Sequence, residues 1–268
     1  MRIGFASARS SPIISVHEAL GADFFVWNQM PVSKRYDEGV ESEHKAIRKA
    51  SGLTDMSGIK KIWLKGADAS KVIDFLITRD CNKIKPGSAA YTALLDEGGY
   101  LIDDAIVFRL STAEFEKFDA TWLICFGAGF GVDYLTKSLQ DSKVVARADD
   151  NKVCLMLQGP YAETVMKRVV KGGLSKNLGR FEHGLFSILD SDVMIARTSY
   201  SGEDGFEIFA VSQDAVHIWD YLIANGALPV GFDAIDVARI EAGLLLFGRD
   251  MTGFETPTEL GLTFTLDD

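Results

Sequence analysis

The sequence predicts an α+β fold of two intertwined α+β domains with mixed or antiparallel sheets. Strand-like and helix-like segments follow one another without the strict alternation that is typical of a parallel sheet. A hairpin is indicated where the apolar runs 89–95 and 101–110 flank Asp-Glu-Gly-Gly at 96–99. A similar pattern restarts at Val153, after a polar stretch from Ser142 to Lys152. The chain has no glycine-rich signature of the Rossmann or P-loop type, which argues against those folds.

The first half begins with a predicted helix over 40–50, whose acidic residues precede its basic ones as the helix dipole prefers. Gly66 separates a predicted strand over 61–65 from an amphipathic helix over 67–77. The remaining predicted elements of this half, besides the hairpin, are a strand over 122–126 and a helix over 133–139.

The second half contains three predicted strands and three predicted helices. The strands cover 153–157, 193–197 and 206–210, and the last two flank a glycine-containing turn. The helices cover 161–169, 215–224 and 233–246. Both halves therefore combine helices with strands.

Composition excludes several classes of function. The 268 residues carry a net charge of −10, which disfavours nucleic acid and anionic membranes as partners. No apolar run is long enough for a transmembrane helix, and residues 1–20 lack the apolar core of a signal peptide. The three cysteines and four histidines are too scattered for a zinc site or a disulfide framework. We therefore expect a cytoplasmic protein without a metal.

Four places in the sequence carry polar or charged side chains that the predicted strand or helix does not require for its own formation. Asp103 and Asp104 interrupt an apolar strand, where carboxylates are disfavoured. Because neighbouring strand residues point to opposite faces, at most one of them faces a given cavity. The pair is either a hairpin device or includes a carboxylate that moves a proton. Glu207 also lies among apolar strand residues, Tyr91 could be a cross-strand packing aromatic, and Arg239 could form a surface ion pair.

An ordered set of motifs carries more information than any single one. The motifs are Glu43-His-Lys-Ala-Ile-Arg48, Gly52-Leu-Thr-Asp-Met-Ser57, Tyr91-Thr-Ala-Leu-Leu-Asp-Glu-Gly-Gly99 with Ile102-Asp-Asp104, Leu157-Gln-Gly-Pro160, Arg197-Thr-Ser-Tyr-Ser-Gly-Glu-Asp-Gly-Phe-Glu-Ile208, Ala238-Arg-Ile-Glu-Ala-Gly-Leu244 with Phe247-Gly248, and Thr256-Pro-Thr-Glu-Leu-Gly-Leu262. In this order and spacing the sequence resembles the T-protein of the glycine cleavage system and its relatives.

This resemblance implies a tetrahydrofolate-dependent enzyme that transfers an aminomethyl or methyl group, with a central folate-binding cavity. It implies a folate-binding domain from 1–52 and 148–240, and a second domain from 53–147 and 241–268 that carries Asp104. It also implies roles for five residues. Asp104 is expected to be catalytic, and the tetrahydrofolate-binding residues are expected to be Tyr91, Tyr200, Glu207 and Arg239.

Departures from the family pattern leave the one-carbon donor open. Gly58 stands where T-proteins carry a histidine, Gly127 replaces an asparagine, and Phe264 replaces a tryptophan. The chain also ends soon after the Thr256 motif, so we expect the family's third, β-rich domain to be absent, and a partner chain could complete the site.

Three hypotheses about function remain. The donor is an aminomethyl group on a lipoyl-carrier protein, or the methyl group of a small O-, S- or N-methylated compound, which would make the enzyme a demethylase. The hypothesis from another class is a non-catalytic folate-binding accessory protein. Relatives that assist iron–sulfur assembly carry a cysteine motif near the C-terminus, and no cysteine follows Cys154.

Overall fold

The computed structural model describes Ile3, Phe5, residues 9–174 and residues 178–267. The chain forms two compact units. The first takes its described residues from Met1–Phe5, Ile59–Asp149 and Leu245–Asp268, and the second from Ala6–Gly58 and Asp150–Leu244. The predicted domain boundaries, and the folate-binding role assigned to one domain, stay predictions.

Eight α-helices and thirteen β-strands occur in the described ranges. The helices are α1 (Ile14–Ala19), α2 (Gly39–Lys49), α3 (Ala69–Leu76), α4 (Thr112–Phe118), α5 (Gly131–Ser138), α6 (Ala162–Val169), α7 (Ser212–Ala224) and α8 (Phe232–Glu241). The strands are β1 (Asp23–Trp27), β2 (Met30–Arg35), β3 (Gly52–Asp55), β4 (Lys60–Lys65), β5 (Ser88–Leu95), β6 (Leu101–Arg109), β7 (Trp122–Phe126), β8 (Val145–Ala148), β9 (Lys152–Gln158), β10 (His183–Ile188), β11 (Ser191–Ala196), β12 (Gly205–Val211) and β13 (Leu228–Pro229).

The first unit is built on a five-stranded antiparallel sheet in the order β5-β6-β7-β4-β8. Apolar residues of α3 and α5 pack with the sheet in one core, which includes Ile73, Ile124 and Leu135. A second, smaller cluster contains Ala93 and Leu101 of the β5–β6 hairpin. Its other buried members are Phe247, Met251 and Leu262. The segment after residue 244 therefore supports the hairpin.

The second unit is built on a six-stranded sheet in the order β10-β11-β12-β9-β3-β13. All its pairings are antiparallel except the short parallel pair of β13 with β3. Its core contains Leu157 of β9, Ile208 of β12 and Trp219 of α7, each almost completely buried. A separate two-stranded ribbon, β1–β2, belongs to the same unit.

The predicted α+β class with mixed and antiparallel sheets is confirmed. Among the predicted elements, the helix over 233–246 is wrong at its end, because α8 stops at Glu241. Gly243 follows with φ +69°, a conformation that glycine adopts readily and that ends an α-helix. The polar stretch 142–152 also contains a strand, β8, which its composition does not indicate.

Glu43 lies early in α2, where an acidic residue was expected to favour the helix dipole, but its carboxylate has a different role. Its side chain is 2% exposed and accepts hydrogen bonds from the backbone N–H groups of Tyr36 at 2.7 Å and Gly231 at 2.6 Å. Gly231 is the N-cap residue of α8, so this carboxylate satisfies a donor that a helix start otherwise leaves open. Glu43 thereby fixes the start of α8, the helix that carries Arg239.

Candidate active site

The β5–β6 hairpin brings Tyr91 and Asp104 together. In the strand register Asp104 lies opposite Ala93, and Tyr91 is two residues from Ala93, so Tyr91 and Asp104 share one face of the sheet. The Tyr91 hydroxyl donates a hydrogen bond of 3.0 Å to Oδ2 of Asp104. Both residues are half-buried. Within the described residues, no other side chain donates to this carboxylate.

Asp103 has a different role on the other face of the same strand. It is fully buried, and its carboxylate accepts three backbone N–H groups at 3.0 Å, those of Asp104, Gly129 and Gly131. Gly131 is the first residue of α5. Asp103 thus anchors the loop from β7 to α5, and it satisfies a donor at the start of that helix.

Both carboxyls of the hairpin bind protons more tightly than usual. Burial raises the pKa of Asp104 to about 7; the nearby charge of Asp103 adds to the rise, and the Tyr91 hydroxyl opposes it. Burial also raises the pKa of Asp103 to about 6, although its three N–H donors favour the charged form. A carboxyl with a pKa near neutrality exchanges protons efficiently under physiological conditions. Asp104 has that pKa and is half-buried.

The glycines after β7 allow the chain to pass close to these carboxylates. A Cβ atom on Gly127 would lie 2.4 Å from Oδ1 of Asp104, and one on Gly129 would lie 2.3 Å from the carbonyl oxygen of Ile102. A side chain at Gly129 would clash with backbone, whereas one at Gly127 would require the Asp104 carboxylate to move. The departure from asparagine at Gly127 therefore makes room for Asp104 in its observed orientation.

Glu207 is the second carboxylate that the sequence singles out. It lies on β12, where it pairs with Ala196 of β11 and Met156 of β9, and is 7% exposed. The Thr198 hydroxyl donates to one carboxylate oxygen, and within the described residues no donor reaches the other. Burial raises the pKa of Glu207, and the Thr198 hydrogen bond opposes the rise. A buried acceptor of this kind fits a ligand with N–H donors.

Arg239 forms the ion pair that the alternative expected, with Asp236, but the pair is buried in α8 and does not lie at the surface. Arg239 is 2% exposed, and its Nε and Nη2 donate to Asp236 at 2.9 and 2.8 Å. Its Nη1 donates to the carbonyl oxygen of Leu244 at 3.0 Å, just beyond the helix end. The guanidinium is therefore held in place by its own helix and by the chain that leaves it.

Tyr200 is half-buried in the segment between β11 and β12. The adjoining turn is held by hydrogen bonds of Ser199 to Gln158 at 3.2 Å and to Ser201 at 3.1 Å. The structure thus joins Tyr91 and Asp104 directly in the first unit, and Tyr200, Glu207 and Arg239 belong to three different segments of the second unit.

Comparison with known proteins identifies the family. The model of the GCVT N-terminal domain matches residues 13–267. The chain belongs to this family. A heme-dependent oxidative N-demethylase gamma subunit from Ectopseudomonas mendocina is 37% identical, over 97% of this chain and 70% of that protein. An aminomethyltransferase from Rubrobacter xylanophilus is 33% identical, over 96% of this chain and 68% of that protein.

A solved structure supports the same assignment. The glycine cleavage system aminomethyltransferase T from Bartonella henselae superimposes with a TM-score of 0.85 at 29% identity, over 98% of this chain and 70% of that chain. The resemblance inferred from the ordered motifs is confirmed, and so is membership in an enzyme family of one-carbon transferases. Within the family, the roles of the five named site residues stay proposals.

The sequence did not indicate one buried polar network of the second unit. Asp55, fully enclosed, accepts hydrogen bonds from Ser11, Ser57 and His17, and the Tyr36 hydroxyl lies 2.8 Å from the other ring nitrogen of His17. Burial alone would raise the pKa of Asp55, but these hydrogen bonds hold it below its ordinary value. His17 is 1% exposed, so the network lies in the interior of the unit.

The described residues hold no candidate metal-binding group and no candidate membrane-spanning helix. In the described part of the chain, no group of three or more His, Cys, Asp or Glu side chains is arranged to hold a metal ion. None of the helices in those ranges is long and apolar enough to span a membrane.

The raised pKa of Asp104 leads to a pH-dependent prediction. Its carboxyl titrates at about 4 in the unfolded chain and at about 7 in the folded one, so the folded state binds more protons between these values. This stabilisation is fully present below pH 4 and is lost as the pH rises through 7. Asp104→Asn mimics the protonated form, so its free energy of unfolding, measured in urea, should rise relative to wild type between pH 5 and pH 8. The exposed control Glu97→Gln should differ from wild type by the same free energy of unfolding at pH 5 and at pH 8. The same constancy for Asp104→Asn would contradict a raised pKa for Asp104.

Proposed function

We propose that this protein binds tetrahydrofolate and transfers a one-carbon unit to it, with Asp104 moving the proton that the reaction requires. The observation that carries the proposal is the Tyr91–Asp104 pair on the hairpin of a GCVT-family chain, with the pKa of Asp104 raised to about 7. When a nitrogen of tetrahydrofolate forms a bond to carbon, it must lose a proton. A carboxyl with a pKa near neutrality, such as that of Asp104, suits that step.

The residues of the second unit fit the pterin. A pterin presents several N–H donors, and burying them without acceptors would be costly. Glu207 offers one carboxylate oxygen that no described residue engages. In this proposal Tyr200 lies beside the ring, and Arg239 balances the negative charge at the site. Tetrahydrofolate itself supplies the nucleophilic nitrogens N5 and N10.

Binding of tetrahydrofolate is the first test. A titration under anaerobic conditions, followed by tryptophan fluorescence, should show saturable binding to the wild type. Glu207→Gln should raise the Kd about tenfold, since the amide offers one acceptor fewer and places an NH2 group against the pterin donors. Glu18→Gln, an exposed residue of the same unit, should leave the Kd unchanged. No binding by wild type at millimolar tetrahydrofolate would remove the proposed function.

A second candidate for the donor is a methylated amine, ether or thioether, and two observations favour it. Gly58 replaces the histidine of T-proteins, and a Cβ there would lie 2.7 Å from Cε3 of Trp27, so a larger side chain would require the Trp27 ring to move. The 37% identical relative is an N-demethylase subunit. In this case a methyl group moves from the heteroatom to tetrahydrofolate, and Asp104 passes the proton lost by the folate nitrogen to the departing heteroatom.

Product analysis separates the two donors. The protein is incubated with tetrahydrofolate and either an aminomethylated lipoyl-carrier protein or small N-, O- and S-methylated compounds. Methylene-tetrahydrofolate from the carrier protein would support the aminomethyl reaction, and methyl-tetrahydrofolate from a small compound would support demethylation. Because the relative is one subunit of an enzyme, the second candidate includes a partner chain that delivers the one-carbon unit.

A further inference from the structure

Arg79 lies beside the candidate active site and has unused hydrogen-bond donors. Its Nε donates to the carbonyl oxygen of Tyr91 at 3.3 Å, and the residue is half-buried. Within the described residues, neither terminal guanidinium nitrogen has a hydrogen-bond acceptor. The charge of Arg79 contributes to lowering the pKa of Asp267. The Asp267 carboxylate, however, forms an ion pair with Lys83 at 3.5 Å and accepts the backbone N–H of Asp80 at 3.1 Å.

Phe264 links Arg79 to the Tyr91–Asp104 pair. The Phe264 ring stacks on the Tyr91 ring at 24°, with 6.3 Å between the ring centres. The guanidinium carbon of Arg79 lies 5.8 Å from the centre of the Phe264 ring. Phe264 is 58% exposed, so its ring has a surface for a ligand. All four residues belong to the first unit.

We propose that Phe264 and Arg79 form a subsite for the aromatic ring and the carboxylate of a ligand whose reacting atom lies at Asp104. The inference rests on the proposed function. In tetrahydrofolate, the reacting nitrogen N10 is bonded to a benzoyl ring, and that ring carries a glutamate. The protein presents groups of matching chemistry in the same order: the carboxyl of Asp104, the rings of Tyr91 and Phe264, and the guanidinium of Arg79.

Electrostatics supports a dedicated cation at this place. The chain carries a net charge of −10, so an anionic tail is attracted only where a local positive charge dominates. A guanidinium also matches a carboxylate with two parallel hydrogen bonds, which a lysine cannot reproduce. The same chemistry would recognise the carboxylate of an N-methylated amino acid serving as donor, and the folate tail is the source that the order of groups favours.

The test compares ligands with and without a carboxylate. The Kd of tetrahydrofolate and of 6-methyltetrahydropterin, which lacks the benzoyl-glutamate, is measured by calorimetry for wild type, Arg79→Gln and Phe264→Ala. Arg79→Gln should raise the Kd of tetrahydrofolate about tenfold and leave that of the tetrahydropterin unchanged. Added salt should weaken tetrahydrofolate binding more in wild type than in Arg79→Gln. Lys71→Gln, an exposed residue of the same unit with the same charge change, should match wild type.

A second arm identifies the source of the carboxylate. If Arg79→Gln leaves the Kd of tetrahydrofolate unchanged but raises the KM for N-methylglycine and not for dimethylamine, Arg79 recognises the donor. If neither quantity changes while the variant keeps the wild-type Tm, the subsite does not exist. Wild-type protein that binds no tetrahydrofolate would instead refute the proposed function, so the two failures are distinguishable.

Discussion

Asp104→Asn is expected to lower the turnover of the one-carbon transfer at least a hundredfold while leaving the Kd for tetrahydrofolate within about threefold. Asparagine keeps the size of the side chain and an acceptor for the Tyr91 hydroxyl, but it cannot take up a proton. A positioned general acid–base group contributes roughly 10²–10⁴ in rate, so its loss should appear in kcat. The measurements are tetrahydrofolate binding and the single-turnover rate with the donor found active.

Glu97→Gln is the matched control for this variant. It makes the same change of charge on an exposed residue in the turn of the same hairpin. It should keep wild-type turnover and binding. If Asp104→Asn turns over as fast as wild type, Asp104 is not the proton-transfer group. If wild type itself binds tetrahydrofolate and shows no turnover with any donor, the protein is a non-catalytic folate binder.

Asp103→Ala is expected to destabilise the protein by about 3 kcal/mol. The alanine would leave three backbone N–H groups, those of Asp104, Gly129 and Gly131, without the carboxylate that now accepts all three. A buried donor left unsatisfied costs roughly 1–3 kcal/mol, and the released loop offsets part of the combined loss by admitting water. Urea unfolding at pH 7.5, followed by fluorescence, measures the difference in free energy.

Asp133→Asn controls for the loss of negative charge near α5. Asp133 is exposed in the first turn of that helix, where a charge contributes only tenths of a kcal/mol. If Asp103→Ala unfolds at the same urea concentration as wild type, the Asp103 carboxylate does not hold the loop from β7 to α5. This result bears on function as well, because the same loop carries Gly127 against Asp104.

The sequence predicts the hairpin and the separate faces of its two aspartates because both follow from local patterns. Alternation along a strand is a property of the backbone, and the Asp-Glu-Gly-Gly turn fixes the pairing. The role of Asp103 as the acceptor of three backbone N–H groups could not be predicted from local patterns. It depends on the chain returning after β7, so the donors come from residues more than twenty positions away. The signal that could have pointed to it is the repeated glycine at 127, 129 and 131.

Two other hairpins escaped prediction for a shared physical reason. Asn28 and Gln29 connect β1 to β2, and Leu189 and Asp190 connect β10 to β11, all four with positive φ. Turns of this kind usually contain glycine, which reaches that conformation without strain. Here residues other than glycine adopt it, and three of the four, Gln29, Leu189 and Asp190, are exposed. The burial of Arg239 was missed likewise, since helix periodicity places charges on a face but does not say what covers them.

The interleaving of the two units affects how the protein is made and cut. The β5–β6 hairpin leaves the ribosome well before Leu245–Asp268, which supplies Phe247, Met251 and Leu262 to its packing. At ordinary translation rates that delay is on the order of ten seconds. During it, the apolar side of the hairpin that carries Ala93 and Leu101 lacks the residues that cover it in the folded protein. No single backbone cut releases either unit whole, so truncation of the chain cannot isolate the unit that carries Asp104.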